Sequence, residues 1–245
     1  MTHLFRAARQ NRIFQDVVEQ IQEAIIDGQL KVGDRLPPER DLKEMLQTSR
    51  STLREALRVL EQKGLIEIKL GMGGGAVVKK VTSDLVAESL DLLIRSNQVS
   101  LQHIAEFRER VEGDVVWLAT SRLTKSDIDE LEKLLDDSRQ CLARGVEGVP
   151  DFLSADQHIH QYFAKITGNP IYISLFKTMH NNIRRYFDEL LFKEESEMRE
   201  NLQDLESVVA AMKKGDADTA CKIVRTHVRR FNDYMEIRER QRKAG

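Results

Sequence analysis

The feature that most constrains this chain is a change of apolar period within its first eighty residues, with glycine or proline standing at each change. From Phe14 to Ile26, apolar residues recur at Phe14, Val17, Val18, Ile21 and Ile25, the spacing of one helical face, and Gly28 follows as a stop. Leu30-Lys-Val-Gly-Asp-Arg-Leu-Pro-Pro then makes a turn. Pro38 suits the first position of a short second helix, Glu39 to Leu46, because the N–H it lacks would have no intrahelical partner there. A third helix follows Thr48 and Ser49, either of which can cap it; its buried face is Leu53, Ala56, Leu57 and Leu60, and Gly64 ends it. The period then drops to that of strands. Leu65-Ile-Glu-Ile-Lys-Leu and Ala76-Val-Val-Lys-Lys flank Gly71-Met-Gly-Gly-Gly75 and read as a hairpin with a glycine tip. Three helices and a hairpin, in that order, predict a winged helix-turn-helix.

After Val81 the strand signals disappear, and the spacing predicts helices near 83–96, 100–122, 125–144, 150–167, 170–193, 196–214 and 217–241. Breaks at Ser96-Asn97, Gly145 to Pro150, Gly168-Asn-Pro170 and Gly215-Asp216 carry ordinary stop and cap chemistry. Short connections make an antiparallel bundle the simplest packing. The expected fold is therefore mainly α: an N-terminal winged helix-turn-helix over residues 1–80 and a C-terminal antiparallel all-helical bundle of six or seven helices over 81–245. A chain of 245 residues has material for both cores. No apolar run approaches the ~18 residues of a membrane span, and the N-terminus, MTHLFRAARQNRIF, lacks the apolar core of a signal peptide. A cytoplasmic protein with no membrane partner is expected. Cys141 and Cys221 lie far apart in helical patterns without CxxC spacing, which argues for reduced, structural thiols.

The net charge of −2 hides an asymmetry: residues 1–80 hold fourteen Lys/Arg against eleven Asp/Glu, a balance of +3 that leaves −5 for the rest. That permits nucleic-acid binding by the first segment without requiring it. On the third helix Arg50, Ser51, Arg54 and Arg58 lie away from the apolar face, and Arg50 and Arg54 are neighbours near its N-terminal end. In helix-turn-helix proteins that end enters the major groove, where arginine donates two hydrogen bonds to guanine while hydroxyls and backbone amides hold phosphates. Arg40 can reach the same groove or its flanking phosphates, and the glycines at 73–75 let a wing tip approach DNA closely. The competing account of each arginine alone is a solvated face, partly paired with Glu39, Glu55 and Glu61. The joint order of Pro-Pro-Glu-Arg, a capped arginine-bearing helix and a glycine-tipped hairpin favours double-stranded DNA as partner.

Leu36-Pro-Pro-Glu-Arg-Asp-Leu42, Thr48-Ser-Arg-Ser-Thr-Leu-Arg-Glu-Ala-Leu57 and Leu60-Glu-Gln-Lys-Gly-Leu65 resemble the DNA-binding domain of GntR-type regulators over about residues 10–80. The resemblance implies that Arg40, Arg50, Ser51, Thr52 and Arg54 stand where family members touch operator DNA, with Gly71 in the wing. Leu70 replaces a polar wing residue of some relatives.

In the helical half the informative residues are polar groups intruding on apolar stripes, because their burial needs a partner. Asp156 and His160 are four apart and border the stripe Phe152, Ile159, Phe163, Ile166, while His227 sits within Ala220, Val224, Val228, Phe231. A carboxylate and imidazoles converging between helices suit zinc or another divalent ion. A satisfied core histidine is the competing account of each. His180, on the stripe Phe176, Ile183, Phe187, is open to the same two accounts. Arg108 can receive a small carboxylate in a bidentate grip or pair with Glu112, four residues on; Arg184 is a second candidate of the same kind.

Glu106-Phe-Arg-Glu-Arg-Val-Glu112, Asp156-Gln-His-Ile-His160, Thr167-Gly-Asn-Pro170 and Gly215-Asp216 followed by His227 resemble the FadR subgroup with its helical, FCD-type effector-binding domain. That resemblance implies a divalent metal (zinc, nickel or manganese) on Asp156, His160 and His227, with a fourth ligand position that falls here on Leu205, which cannot coordinate. It implies an effector-facing Arg108, a small organic-acid effector, a homodimer and a pseudo-palindromic operator. The expected function is a ligand-responsive repressor of a metabolic operon rather than an enzyme. A direct metal sensor and an acyl-CoA-responsive regulator are the alternatives, and a metal-dependent hydrolase on the Asp156/His160/His227 cluster is the remote one.

Overall fold

The computed structural model describes residues 12–71, 74–82, 84–96, 99–186 and 194–244. The chain forms two compact units, Met1–Leu85 and Val86–Gly245. Residues 187–193 of the predicted fifth bundle helix, Met72 and Gly73 of the hairpin tip, Ser83, Asn97 and the N-terminal segment 1–11 lie outside the described residues.

The first unit contains α1 (Arg12–Ile26), α2 (Glu39–Met45), α3 (Arg50–Gln62), β1 (Ile66–Lys69) and β2 (Gly75–Val78). Val17, Val18 and Ile21 of α1 share one core with Leu42 and with Leu53, Ala56, Leu57 and Leu60 of α3, the residues whose spacing marked the apolar faces. The strands pair antiparallel from Ile66 opposite Val78 to Lys69 opposite Gly75. Pro38 stands one position earlier than expected, at the N-cap of α2, with Glu39 as the first helical residue. The turn between α2 and α3 places Gln47 at φ 46°, a left-handed conformation that a side chain rarely adopts.

Of the two capping candidates for α3, Ser49 performs the role: its Oγ accepts the Thr52 N–H at 3.1 Å. Ser49→Ala leaves that N–H without its partner and should cost about 0.5–2 kcal/mol of stability. Urea unfolding of the full chain, followed in its first transition, measures it.

The second unit is helical among its described residues: α4 (Asp84–Arg95), α5 (Leu101–Arg122), α6 (Lys125–Leu142), a 3-10 turn at Gly145–Gly148, α7 (Val149–Ile166), α8 (Pro170–Tyr186), α9 (Glu195–Lys213) and α10 (Ala217–Ala244). Cross-helix pairs run in opposite sequence order, which makes the packing antiparallel. Between α5 and α10, Glu109 meets Arg229, Asp114 meets Arg225 and Trp117 meets Asp218. Between α9 and α10, Glu197 meets Arg238, Glu200 meets Tyr234 and Asp204 meets Arg230. Gly113 is buried in mid-helix, where a Cβ would come within 2.3 Å of Arg225 Nε and 2.8 Å of its Cγ. The glycine costs α5 roughly 0.5–1 kcal/mol relative to alanine, and in return the Arg225 stem lies directly on the α5 backbone.

Two capping boxes fix helix starts: Ser100 with His103 for α5, and Thr124 with Asp127 for α6. Asp127 also accepts the Tyr162 hydroxyl at 3.1 Å, tying α6 to α7. Phe152, Ile159 and Phe163 of α7, Leu131 and Leu135 of α6, Met198, Leu205 and Met212 of α9 and Met235 of α10 form a core with 2% exposure or less. No described helix is long and apolar enough to cross a membrane.

Candidate functional site

In the first unit, α2 and the start of α3 present three guanidinium groups to solvent. Arg40, Arg50 and Arg54 have side chains 83%, 71% and 56% exposed. Arg54 Nε donates to Glu39 Oε2 at 2.8 Å, and Arg50 Nε is 4.0 Å from the same oxygen. Arg40 Nε donates to Asp41 Oδ1 at 3.1 Å. Exposed pairs of this kind hold about 0–1 kcal/mol, so a phosphate or base edge can take over the arginines at small cost. Ser51 and Thr52 share hydroxyl hydrogen bonds with Ser49, at 2.9 and 2.8 Å, which aligns three hydroxyls at the helix N-terminus, where backbone N–H groups point outward. Gly71 lies at φ 94° beside Leu70, which is 94% exposed in the hairpin. Leu70 is thus an apolar side chain left in water on the wing.

In the second unit, four helices bring six chemistry-bearing side chains together inside the bundle: Arg108 and Glu112 from α5, Asp156 and His160 from α7, His180 from α8 and His227 from α10. All six are buried. Arg108 and Glu112 continue the inward row Leu101, Ile104, Val115, Ala119, so the helix itself carries a charged pair into the core. Arg108 Nε donates to Glu112 Oε1 at 2.6 Å, and the guanidinium lies 5.1 Å from the centre of the Phe231 ring. Arg108 Nη1 is buried with no hydrogen-bond partner.

The histidines are stacked beside this pair. His160 Nε2 faces His227 Nε2 at 3.1 Å and lies 3.7 Å from Asp156 Oδ1. On its other side His160 Nδ1 approaches Glu112 Oε2 to 2.5 Å. His227 Nδ1 has Asp204 Oδ2 at 3.5 Å. Each imidazole therefore has a carboxylate near Nδ1 and its Nε2 turned towards the other. Burial works to raise the Glu112 carboxyl, but Arg108 first, then His160 and His180, hold it well below the usual range. Burial works to lower His160, and Glu112 and then Asp156 outweigh it and raise the group. His180 is driven well below the ordinary histidine value by burial, which Glu112 only partly opposes. It is a neutral ring with Nε2 buried and unpartnered, 3.6 Å from Glu112 Oε1.

Asp156, His160 and His227 fit a divalent ion. With metal–nitrogen bonds of about 2.0–2.1 Å, ligand nitrogens stand roughly 2.9–3.4 Å apart, which matches the 3.1 Å between the two Nε2 atoms. Asp156 Oδ1 is a buried acceptor without a partner. The carboxylates behind the two Nδ1 atoms are the supporting shell that metal-binding histidines need. Glu112, His160 and His180 form a second grouping of ligand atoms, but an ion there would sit against the Arg108 guanidinium, so the first set is favoured. Leu205 is wholly buried in the core of α9 and offers no ligand. Its neighbour Asp204, which the sequence reading did not single out, supplies the carboxylate behind His227. Arg184 is exposed and lines a small space with Arg108, Asp156 and His180.

Residues 103–230 match the FCD domain, and residues 14–78 match the gntR family of bacterial regulatory proteins. The chain is a GntR-family transcription regulator with an FCD domain. Its 223 residues aligned to the Uxu operon transcriptional regulator of Escherichia coli K12 are 29% identical, covering 87% of this chain and 83% of that protein. Similarity to the HTH-type transcriptional repressor NanR of Cronobacter sakazakii is 26% over 234 residues, 91% of this chain and 85% of that one. The structure named Streptococcus agalactiae GntR superposes with a TM-score of 0.67 at 24% identity, covering 88% of this chain and 96% of that one; it shows the fold. In this GntR regulator the whole buried cluster, Arg108 to His227, falls within the FCD match, and α2, α3 and the hairpin fall within the gntR match. A regulator is not an enzyme, and the hydrolase alternative lapses.

Proposed function

We propose that this GntR regulator is a ligand-responsive repressor of a metabolic operon, with residues 1–80 reading DNA and residues 81–245 binding effector and dimerising. Arg40, Arg50, Ser51, Thr52, Arg54 and Gly71 contact a pseudo-palindromic operator, and two copies in a cytoplasmic homodimer supply two recognition helices. In the helical unit Asp156, His160 and His227 hold a divalent metal, and Arg108, with Arg184 nearer the surface, receives a small organic acid. The carrying observation is the buried Arg108, which keeps Nη1 without a partner: a guanidinium sealed inside a bundle and incompletely satisfied is a receptor for a carboxylate. When bound, the metal supplies a fixed positive charge beside that receptor. Regulation is a coupling free energy: an acid that binds better to one arrangement of the helical unit shifts the dimer away from the geometry that fits operator DNA.

Arg50→Ala is expected to weaken operator binding by about 1–3 kcal/mol and to relax the preference for operator over scrambled DNA, as loss of a bidentate base contact does. Fluorescence anisotropy with both duplexes at one fixed salt concentration measures it; an unchanged preference removes Arg50 from base readout. Titrating metal and carboxylic acids separately against operator affinity separates the two sensing readings. Release by metal alone supports a direct metal sensor, and release that needs the acid supports the reading given above.

A further inference from the structure

Among the described residues, the spaces beside Arg108 are small. Two spaces beside it, one lined by Phe107, Val111 and Phe176 and the other by Leu153, Ile183 and Phe231, have volumes of about 10 and 30 Å³. Roughly 10–15 Å³ of such space holds one water, so the first takes about one water and the second two or three, which leaves little room for an organic acid while Glu112 stays in place. The carboxylate that does occupy the guanidinium belongs to the chain: Glu112 Oε1, at 2.6 Å from Arg108 Nε, in a pair of side chains each 4% exposed. The grip is incomplete, since Glu112 reaches Nε alone while Nη1 stays unfilled. A free carboxylate can take two parallel N–H groups of one guanidinium, Nε with Nη2 or Nη1 with Nη2, whereas the hydrogen bond of Glu112 is to Nε.

We propose that Glu112 is a resident stand-in for the effector's carboxylate, which holds Arg108 and keeps the cavity shut until an incoming acid displaces it. Glu112 is then a positioning and selecting residue. Neutral molecules of the right shape cannot displace an anion from a buried guanidinium, and a carboxylate that makes both N–H contacts can. The displaced Glu112 keeps partners, because His160 Nδ1 and His180 Nε2 already lie 2.5 and 3.6 Å from its two oxygens. The inference rests on the reading of Arg108 as the carboxylate site.

The test uses the full-length protein as purified, with acetate as probe and acetamide as its neutral isostere, binding being read by calorimetry and by the shift in Tm. Glu112→Gln keeps the shape and removes the competing charge; acetate is expected to bind it at least tenfold more tightly than it binds the parent protein, and acetamide is not. Glu112→Asp, with a carboxylate drawn back by one methylene, is expected to fall between the two and serves if the glutamine variant does not fold. The double variant Arg108→Gln/Glu112→Gln, which removes both charges of the pair, is expected to lose acetate binding. If the double variant loses acetate binding while neither single variant gains affinity, Arg108 remains the carboxylate site and the stand-in role is overturned. If the double variant binds acetate as the single one does, or no protein binds it, the Arg108 reading falls and this inference with it. An equal gain for acetamide means that only space was opened, and it too overturns the proposal.

Discussion

Arg108→Ala is expected to lower the stability of the helical unit by about 3–5 kcal/mol, the cost of breaking a buried ion pair from one side. The loss is large because of what remains. Glu112 has 3% of its surface exposed, and its ionised state is held chiefly by Arg108 against the opposing effect of burial. Without the guanidinium, the carboxylate loses its chief cation and keeps only the imidazoles of His160 and His180 beside it, so it either stays charged with weaker compensation or takes up a proton, and both cost free energy. Truncation also empties the volume beside Phe231 that the guanidinium fills. Denaturant unfolding of the variant measures the effect, and a cycle with Arg108→Met/Glu112→Met assigns it. Replacing both partners by apolar groups of similar size should recover most of the loss, because the penalty belongs to the stranded charge and not to the pair. A double variant as unstable as the single one would show that packing, not charge, dominates this position.

The second large effect concerns the metal. Protein prepared without affinity tag or metal supplement is expected to gain about 2.7 kcal/mol of stability when zinc is present at a hundred times its dissociation constant. His160→Ala should abolish that gain, since His160 Nε2 is the donor nearest to both His227 and Asp156. Asp204→Asn should reduce zinc affinity by about 10–100-fold while leaving all three ligands in place, the usual consequence of loosening the partner behind a ligating histidine. Differential scanning calorimetry with and without chelator reads both variants. A His160→Ala protein that still responds to zinc would move the ion elsewhere, and equal affinity in Asp204→Asn would leave His227 oriented by its packing alone.

The helices and the hairpin were legible in the sequence because each carries a periodic apolar face and an explicit stop or cap. Ser49, Gly64 and the row Leu53, Ala56, Leu57, Leu60 speak through local chemistry, and local chemistry does not depend on what the rest of the chain does. Asp156 and His160 were legible for the same reason, being four apart on one helix. His180 stood open as a ligand or a core residue, and the convergence of Glu112 and Asp204 was not legible, because it depends on how α5 and α9 are rotated about their axes, and no single-helix period records that. Glu112 was visible only as a partner for Arg108. The available signal was its register, since positions 108 and 112 continue the apolar row of α5 and so place two charges where only a paired or functional group can stand. For Asp204 the signal lay beside the departure itself: next to a leucine at an expected ligand position stands a carboxylate, which faces Nδ1 of His227 at 3.5 Å.

The glycine in the middle of α5 carries a mechanical consequence. With the Arg225 stem seated in the gap that Gly113 leaves, and the guanidinium tied to Asp114 at 2.9 Å, α10 is keyed into α5 like a tooth in a notch. Neither helix can slide along the other without lifting the tooth out. Arg108 rides on one of these helices and His227 on the other, so the same contact holds the two sides of the buried cluster in one axial register. A displacement along the axis on one side of the cluster is thereby passed to the other.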